Sequence, residues 1–580
     1  MPDSPASVVA EVIGHVGKDR VRLLDIARET QTRLGFLGDE AVEAIASSLG
    51  MRPVEVRDAL SFYTFFNVKK TGRTTIRLST CVSSKSRGEV ARALSEEIGV
   101  AFGETTPDGA ITLAETSCVG MCDQGPAALI DGAVVTELSA KDVKKIVSTA
   151  RRGAPAHHNR VEPNLRQAGP VIFAPMERGA AIRAALGKTP EQVIDEISAS
   201  RLRGRGGAGF PTAMKWSFCR KAGANRQLLC NCDEGEPGTF KDRVILTNAP
   251  DLLFEGMTVA GYALGAGTGI LYVRGEYAYL LSHLQEILEK RRRLGLLGTA
   301  VCGREGFDFD IRIQLGAGAY VCGEESSLIE SLEGKRGAPR DRPPYPVQRG
   351  YLNQPTAVNN VETLCCAARV MEKGAAWFSA MGTKDSTGTK LLSVSGDCER
   401  PGVYEVEMGI VIDRLMDMVG ARDVQAVQIG GPSGRCLAPK DLGRRLSFED
   451  VPTGGAVMVF DGSRDILSIV RAHAAFFVEE SCGWCDPCRT GTSLLLRKLD
   501  KILSGRAVHR DLAELESLAK TVAFMSRCGL GQTAPNPILT SLRNLPQLYE
   551  RLLAPGDFAP ELDLEEAMKP ALAHTKREHP

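Results

Sequence analysis

No run in this 580-residue chain is long and apolar enough to suggest a membrane span. The longest uncharged stretch, Gly256–Val273, contains five glycines and a polar Thr-Val-Ala-Gly-Tyr section, whereas a crossing helix needs about 20 apolar residues. It reads instead as a buried helix, a glycine turn and a strand at Ile270–Val273. A secretory signal is missing as well: Met-Pro-Asp-Ser carries no basic segment, and Glu11 and His15 break the apolar residues that follow. No twin-arginine signal occurs, so the expected location is cytoplasmic. Net charge is also lacking. With 71 basic and 71 acidic residues, no overall field favours nucleic acid or an anionic membrane. The eight histidines form no HExxH or related metal spacing. At 43% apolar and 24% charged, the composition is that of a folded globular chain. Its length suggests three to five domains of about 100–200 residues.

Cysteine is what the chain has in unusual number. Sixteen in a cytoplasmic chain call for metal or redox chemistry rather than disulfides. Seven fall into patterns. The other nine, at 219, 230, 232, 302, 322, 365, 366, 398 and 436, sit among apolar or small residues and read as small buried hydrophobes.

The fold class expected is multidomain α/β. Residues 1–72 read as a helical bundle, with apolar periodicity over Val21–Leu34 and Ala41–Leu49, Asp39 as a cap and Pro53 opening a third helix. The run Ala41–Phe66 has an outline of helix-turn-helix. Nine Lys/Arg against ten Asp/Glu in this segment leave it no basic stripe, so packing or docking is expected and DNA binding is not. Residues 73–150 form a small thioredoxin-like unit: strands at Thr74–Ser79 and Ile111–Glu115, a helix at Arg87–Ile98, a hairpin about Asp131-Gly132 and a closing helix Lys141–Arg151. Residues 151–170 read as a linker and 171–385 as a glycine-rich, Rossmann-like α/β domain. Residues 386–455 suggest a β-grasp-like domain with a helix at Ile412–Val419. Residues 456–580 are expected to be helical, ending in a frayed tail at Ala571–Pro580.

Five motifs carry chemistry. Ser481-Cys-Gly-Trp-Cys-Asp-Pro-Cys places Cys482, Cys485 and Cys488 at CxxCxxC spacing, and Cys528 is the one other cysteine of the helical region. Four thiolates suit a [4Fe–4S] cluster; a zinc site or free thiols are the alternatives. Cys118-Val-Gly-Met-Cys122, with Cys81 before it, offers three thiolates for a [2Fe–2S] cluster, or unliganded thiols. Arg203-Gly-Arg-Gly-Gly-Ala-Gly-Phe-Pro-Thr212 contains GxGxxG but follows a helix, so a standard dinucleotide fingerprint fails. Its glycines still let backbone N–H groups approach a phosphate, with Arg205 and Lys215 adding charge; a structural turn is the alternative. Cys230–Arg243 is an acidic loop after a strand, fit either to bond sugar hydroxyls or simply to be solvated. Gly316–Glu325 is a glycine turn leading into a helix, and Asn359, Asn360 and Glu362 could add amide and carboxylate bonds.

Taken together, RGRGGAGFPT…KW, NCDEGEPGTFKDR, GAYVCGEESSL and SCGWCDPCRTG over residues 170–535 resemble the NADH-oxidising flavoprotein subunit of respiratory complex I. Residues 1–150 resemble that complex's [2Fe–2S] subunit, fused in front. This fusion looks like the large diaphorase subunits of soluble NAD-reducing [NiFe] hydrogenases. The resemblance implies FMN, NAD, a [4Fe–4S] and a [2Fe–2S] cluster, a ferredoxin-like iron–sulfur partner, and hydrogenase small and large subunits. No nickel-site pattern occurs in this chain. The motifs imply FMN contacts at Gly204, Arg205, Gly206, Lys215, Asn231, Asp233, Gly323, Glu324, Asn359 and Asn360. They imply Phe210, Glu236 and Glu325 on the nicotinamide side. The family has a cysteine five residues after Cys81; here it is Ser86, the expected fourth ligand of the [2Fe–2S] site, with Ser83 and Ser84 as nearby rivals and water or another donor as the further alternative. Hydride transfer between nicotinamide and flavin, followed by single-electron steps, needs no side-chain acid or base. A carboxylate at Glu325 is expected to favour NAD over NADP by repelling a 2′-phosphate. The diaphorase of a molybdenum formate dehydrogenase or of complex I is the alternative, and a scaffold without electron transfer the second.

Overall fold

The computed structural model describes residues 4–153, 161–556 and 564–575. The expected linker and tail therefore lie partly outside the described residues. The chain divides into two compact units, Met1–Ser463 and Arg464–Pro580. Among the described residues, no helix is long and apolar enough to cross a membrane.

In the first unit, four helices come first: Pro5–Val16, Leu23–Leu34, Asp39–Leu49 and Pro53–Ser61. Gly38, not Asp39, is the cap of the third; Asp39 is its first helical residue, where a carboxylate still complements the helix dipole. The apolar faces are not closed on themselves. Val9, Leu24, Ile45 and Leu60 share one core with Leu229, Ile270, Cys322 and Leu328 of the later α/β region. Backbone bonds from Thr64 to Gly318 and Phe65 to Ala317 complete that packing. This segment is a packing module by construction.

Strands β1 (Thr74–Ser79), β2 (Ile111–Thr116), β3 (Ala128–Ile130) and β4 (Ala133–Val135) follow, in the spatial order β2-β1-β3-β4. β1 and β2 are parallel, and β3 and β4 make the hairpin. Asp131 (φ 49°) and Gly132 (φ 84°) supply the two left-handed residues of its turn. Helices Arg87–Ile98 and Val143–Arg151 cover the sheet through Val90, Leu94, Val143 and Val147.

The next sheet is wholly parallel, ordered β8-β7-β6-β9, from β6 (Gln227–Cys232), β7 (Thr268–Val273), β8 (Asp310–Leu315) and β9 (Thr356–Asn360). Helix Pro250–Leu264 is buried nearly all round, as the uncharged run required. It crosses helix Val361–Lys373 so closely that a Cβ on Gly256 would lie 2.0 Å from Leu364 O. The third sheet has six strands, ordered β13-β12-β14-β10-β11-β5. They are β5 (Leu165–Gln167), β10 (Thr389–Gly396), β11 (Gly402–Glu407), β12 (Val424–Ile429), β13 (Arg435–Leu437) and β14 (Ala456–Asp461). Two boundaries drawn from sequence therefore shift. The linker contributes an edge strand, and the sheet runs to Asp461, past the expected break at 456. β14 is central in the sheet, between β12 and β10, and fully apolar at its core, a placement that local pattern cannot reveal.

Glu405 on β11 fastens that edge. Its carboxylate accepts from the backbone N–H groups of Gly169, Val171, Ile172 and Phe173 at 2.8–3.2 Å and from Thr389 Oγ1 at 2.9 Å, while 1% exposed.

The second unit is helical, with Ile466–Glu480, Asp486–Leu503, His509–Met525, Gly529–Thr533, Asn536–Asn544, Pro546–Glu550 and Leu564–Thr575. Residues 571–575, expected as frayed, belong to the last of these. Lys501 and Asp511 form a buried ion pair at 2.7 Å, and Asp511 also caps its helix through Val508 N–H.

Glu405→Gln puts an NH₂ against two of the four backbone donors. We expect a loss of about 2–4 kcal/mol, because buried charge-assisted bonds are each worth about 1.5–3 kcal/mol. A lowered thermal midpoint with faster proteolysis near 161–173 is the readout; an unchanged midpoint would deny Glu405 this role.

Candidate functional site: a glycine loop and two cysteine sets

The glycine loop is a tight return, with Gly204 N–H bonded to Phe210 O and Thr212 N–H to Leu202 O. It follows helix Pro190–Ala199 and opens helix Thr212–Lys221, with no strand before it. Arg205, read from sequence as a phosphate cation, is anchored in the core at one end of its guanidinium. Its side chain is 1% exposed and its Nη2 donates to Thr387 O at 2.5 Å, so most of its reach is spent holding the loop to the core. Its Nε–H and the Thr212 hydroxyl are buried with no protein partner, a polar remainder that fits an anionic ligand at this loop. Lys215 Nζ lies 3.0 Å from both Glu325 Oε2 and Val358 O. Phe210 is 44% exposed beside the loop.

The other expected flavin residues converge from the carboxyl ends of parallel strands, where open α/β sheets bind ligands. Asn231 Nδ2 donates to Gly323 O at 2.7 Å, and Asn231 Oδ1 accepts from Asp233 N–H. Asn359 is fixed by Trp216 Nε1 at 2.9 Å. Asn360 caps helix Val361–Lys373 and meets Gly206, whose added Cβ would lie 3.3 Å from Asn360 Cβ. Glu324 caps helix Glu325–Leu332 through the N–H groups of Ser326 and Ser327. Glu236 accepts from Tyr320 Oη at 2.5 Å and from Ser433 N–H and Oγ at 2.8 Å. Burial pushes its carboxyl up to about 7 against these bonds.

The acidic loop is not solvated. Lys241 Nζ sits 2.6 Å from Asp242 and 3.1 Å from Glu362, and Lys390 Nζ is 2.5 Å from Glu362, all nearly inaccessible. Arg243 pairs with Asp123 at 2.9 Å. Glu234, also pushed up to about 7 by burial, accepts from the N–H groups of Asp242 and Arg243. Glu234, Tyr320 and Ser433 were not anticipated: Ser433 stands on the distant β12–β13 turn and has no motif of its own.

Cys81, Cys118 and Cys122 place their sulfurs within 4.8 Å of one another, with Cys118–Cys122 at 3.1 Å and Cys81–Cys122 at 3.4 Å. Bonds from Cys118 and Cys122 hold the Cys81 thiol well below its ordinary value, while the same contacts and burial push Cys122 well above its own, so the trio shares one thiolate among three sulfurs. The serine beside them is Ser83: buried, 3.2 Å from Cys81 Sγ, and donating to Cys122 O. Ser83 lines the thiol cavity and Ser86 does not. Ser86 is exposed at the start of helix Arg87–Ile98, with its Oγ 3.2 Å from Ser84 Oγ. The expected fourth ligand thus stands outside the thiol cavity, at the exposed start of this helix.

In the second unit, Cys485 caps helix Asp486–Leu503, Cys488 sits in its first turn, and Cys528 caps Gly529–Thr533. Burial raises the Cys488 thiol to about 11, and Cys485, Cys528 and Cys482 are near enough to add to that rise. Trp484 lies under the Arg527 guanidinium at 5.2 Å, tying the triple-cysteine loop to the Cys528 segment. A CxxCxxC loop with a fourth cysteine on a nearby helix start is the donor set that a cubane-type cluster uses. Of the nine cysteines outside the patterns, Cys302 and Cys398 are half-buried and the rest buried.

Three family models match: thioredoxin-like [2Fe–2S] ferredoxin over 9–151, the Nuo51 FMN-binding domain over 197–369, and the NADH-ubiquinone oxidoreductase-F iron–sulfur binding region over 468–552. They define the class: an iron–sulfur flavoprotein of the NADH-oxidising type, with a thioredoxin-like domain ahead of the flavin domain and a helical C-terminus. The chain is 48% identical to the alpha subunit of the NAD-reducing hydrogenase HoxS of Cupriavidus necator, over 97% of each chain. It matches a chain of an NAD⁺-reducing [NiFe]-hydrogenase crystallised in the H₂-reduced state with a TM-score of 0.90 and 38% identity, covering 97% of this chain and 98% of that one. Subunit HndC of the NADP-reducing hydrogenase of Solidesulfovibrio fructosivorans is 42% identical over 62% of this chain and 76% of its own. The chain belongs to the family of NAD-reducing hydrogenase alpha subunits.

Because the folded-state value of Glu236 lies above the ordinary 4.5, its folded form holds the proton more tightly. Its contribution to stability is therefore full below pH 4.5 and is lost as pH rises to about 7, by up to about 3 kcal/mol. Glu236→Gln should flatten that part of a thermal-midpoint-against-pH curve; an unaltered slope would show that Glu236 does not titrate there.

Proposed function

We propose that this chain is the NAD(H)-handling diaphorase subunit of a hydrogenase, passing hydride between NAD(H) and FMN and single electrons through iron–sulfur clusters. The flavin is the necessary converter, since nicotinamide moves electrons in pairs and clusters move them singly. The observation that carries the reading is the joint presence in one chain of a glycine loop packed against the strand-end asparagine Asn360, a three-thiol cluster at Cys81, Cys118 and Cys122, and a CxxCxxC loop. Its partners are a ferredoxin-like iron–sulfur subunit and the hydrogenase small and large subunits, by analogy with the hydrogenase complex it resembles. The overall reaction is H₂ + NAD⁺ = NADH + H⁺.

Within the chain, residues 171–385 serve as the Rossmann-like FMN and NAD domain and the six-stranded sheet as a β-grasp-like element. Residues 1–72 are the bundle, 73–150 the [2Fe–2S] domain and the last helices the [4Fe–4S] domain. Gly204, Gly206, Lys215, Asn231, Asp233, Gly323, Glu324, Asn359 and Asn360 hold FMN, with Arg205 supporting the loop from behind. Phe210, Glu236 and Glu325 face the dinucleotide. Cys482, Cys485, Cys488 and Cys528 hold the [4Fe–4S] cluster. Cys81, Cys118 and Cys122 hold the [2Fe–2S] cluster, and we assign the fourth donor to Ser83 in place of Ser86. No side chain is required to move a proton at the reacting carbon; the residues bind, orient and exclude water.

The chain in its native complex should reduce a dye with NADH. Glu325→Gln removes the carboxylate that would repel a 2′-phosphate and should raise the NADPH:NADH activity ratio about tenfold, equivalent to about 1.4 kcal/mol. No dye reduction by a flavin-loaded complex would end the enzymatic reading; an unmoved ratio would remove only Glu325. For the fourth donor, Ser83→Ala should make the [2Fe–2S] signal labile in low-temperature EPR and lower the iron content, while Ser86→Ala leaves both intact. The reverse pattern would restore Ser86.

A further inference from the structure

A buried cation joins the Cys118–Cys122 loop to the flavin loop. Arg274 directly follows β7 and is 3% exposed. Its Nη2 donates to Cys118 O at 2.6 Å and its Nη1 to Glu234 O at 2.5 Å. Nη2 and Nε also bind the two oxygens of Glu276, at 2.6 and 3.0 Å, so Glu276 neutralises it. The guanidinium lies 5.3 Å from the Tyr277 ring, whose hydroxyl donates to Glu234 Oε2 at 2.9 Å. Tyr277 leaves no room at Gly120 between the cluster cysteines: a Cβ there would stand 2.2 Å from its hydroxyl oxygen. A second link is direct, since Gly238 N–H donates to Cys122 Sγ at 3.3 Å. None of this was marked in the sequence. Val-Arg-Gly-Glu-Tyr reads as a polar strand end, and only the fold brings it under the thiols.

We propose that the Arg274–Glu276 pair sets the reduction potential of the cluster held by Cys81, Cys118 and Cys122, Arg274 raising it and Glu276 lowering it. The inference rests on the assignment of a cluster to those cysteines. The step concerned adds one electron to the oxidised cluster, supplied by NADH through the flavin; no bond forms or breaks and no proton need move. Away from water, screening is weak, and a fixed charge acts on a neighbouring redox centre at nearly full strength. Cluster potentials respond to net charge and to hydrogen bonds at the sulfurs. Arg274 touches the backbone of a ligand residue, while Glu276 is joined to that residue only through the guanidinium. The cation is therefore the nearer charge and favours the reduced, more negative cluster. Its two carbonyl bonds also keep the cluster loop and the Glu234 loop in one register, which makes Arg274 a positioning residue as well.

The test is a potentiometric EPR titration of the complete complex. In Arg274→Gln the reduced:oxidised ratio of the [2Fe–2S] cluster at a fixed potential should fall about tenfold, a midpoint lowered by about 59 mV for one electron. In Glu276→Gln the uncompensated cation should move it the other way. In both, the [4Fe–4S] midpoint should stay put. Arg274→Lys keeps the charge but cannot span both carbonyls, and should hold its midpoint near that of the wild type. Opposite shifts in the two Gln variants are not produced by mere loosening of the fold, which would move both alike. Equal or absent shifts with the cluster present would overturn the proposal. If Arg274→Gln loses the cluster, Glu276→Gln and Arg274→Lys decide by the same signs. A wild-type complex with no [2Fe–2S] signal would overturn the cluster assignment first, and this proposal with it.

Discussion

The segment from Asp233 to Arg243 buries four charged side chains, Glu234, Lys241, Asp242 and Arg243, and half-buries Asp233 and Glu236, and no single part of the fold supplies all their partners. Arg243 takes Asp123 from beside the Cys122 thiol. Lys241 takes Glu362 from the helix after β9, and Glu362 in turn takes Lys390 from β10. Glu236 is met by Ser433 from the β12–β13 turn, and Glu234 by Tyr277 at the end of β7. Breaking a buried pair by removing one partner costs about 3–5 kcal/mol, because the charge left behind cannot reach water. The loop therefore compels the thioredoxin-like region, the parallel sheet and the six-stranded sheet to assemble together. It also explains why Phe240 N–H is bonded to Ser393 Oγ and Gly238 N–H to a thiol: the backbone is pinned wherever the side chains are.

The same constraint organises the pocket. Asparagines at the ends of β6 and β9 are each held by a neighbour, Asn231 against Gly323 and Asn359 against Trp216, so they are set before any ligand arrives. Preorganised polar groups lose less on binding than groups that must be ordered at that moment. The two thiol clusters are built differently. One lies on loops packed into the core shared with the flavin region, since Cys118, Val119 and Cys122 belong to the same apolar cluster as Phe240 and Val273. In the second unit Cys485 and Cys528 stand at the N-cap positions of helices, where unsatisfied N–H groups favour anionic sulfur.

Much of this was legible in the chain. Periodicity and turn residues located β1, helix Arg87–Ile98, the Asp131-Gly132 hairpin and helix Ile412–Val419, because those signals are local. The CxxCxxC loop and the glycine loop were legible for the same reason: their chemistry lies within ten residues. The acidic loop was ambiguous, since a run of charges reads alike whether it is solvated or buried in pairs. Where Ser86 stands was not legible, because register along a turn is not position in space. Nor was the anchor of Arg205, since its partner Thr387 O lies 182 residues away.

The order of residues thus determined which segments become helix or strand, the absence of a membrane-length run, and the sets of thiols and glycines on offer. Those follow from spacing and from backbone preferences that act over a few residues. Tertiary structure alone decided which charges are buried, which serine stands at the thiols, that β5 and β14 join one sheet, and that Arg274 lies between a cluster loop and a flavin loop. Each of these depends on groups tens to hundreds of residues apart satisfying one another away from water, and no local pattern encodes that.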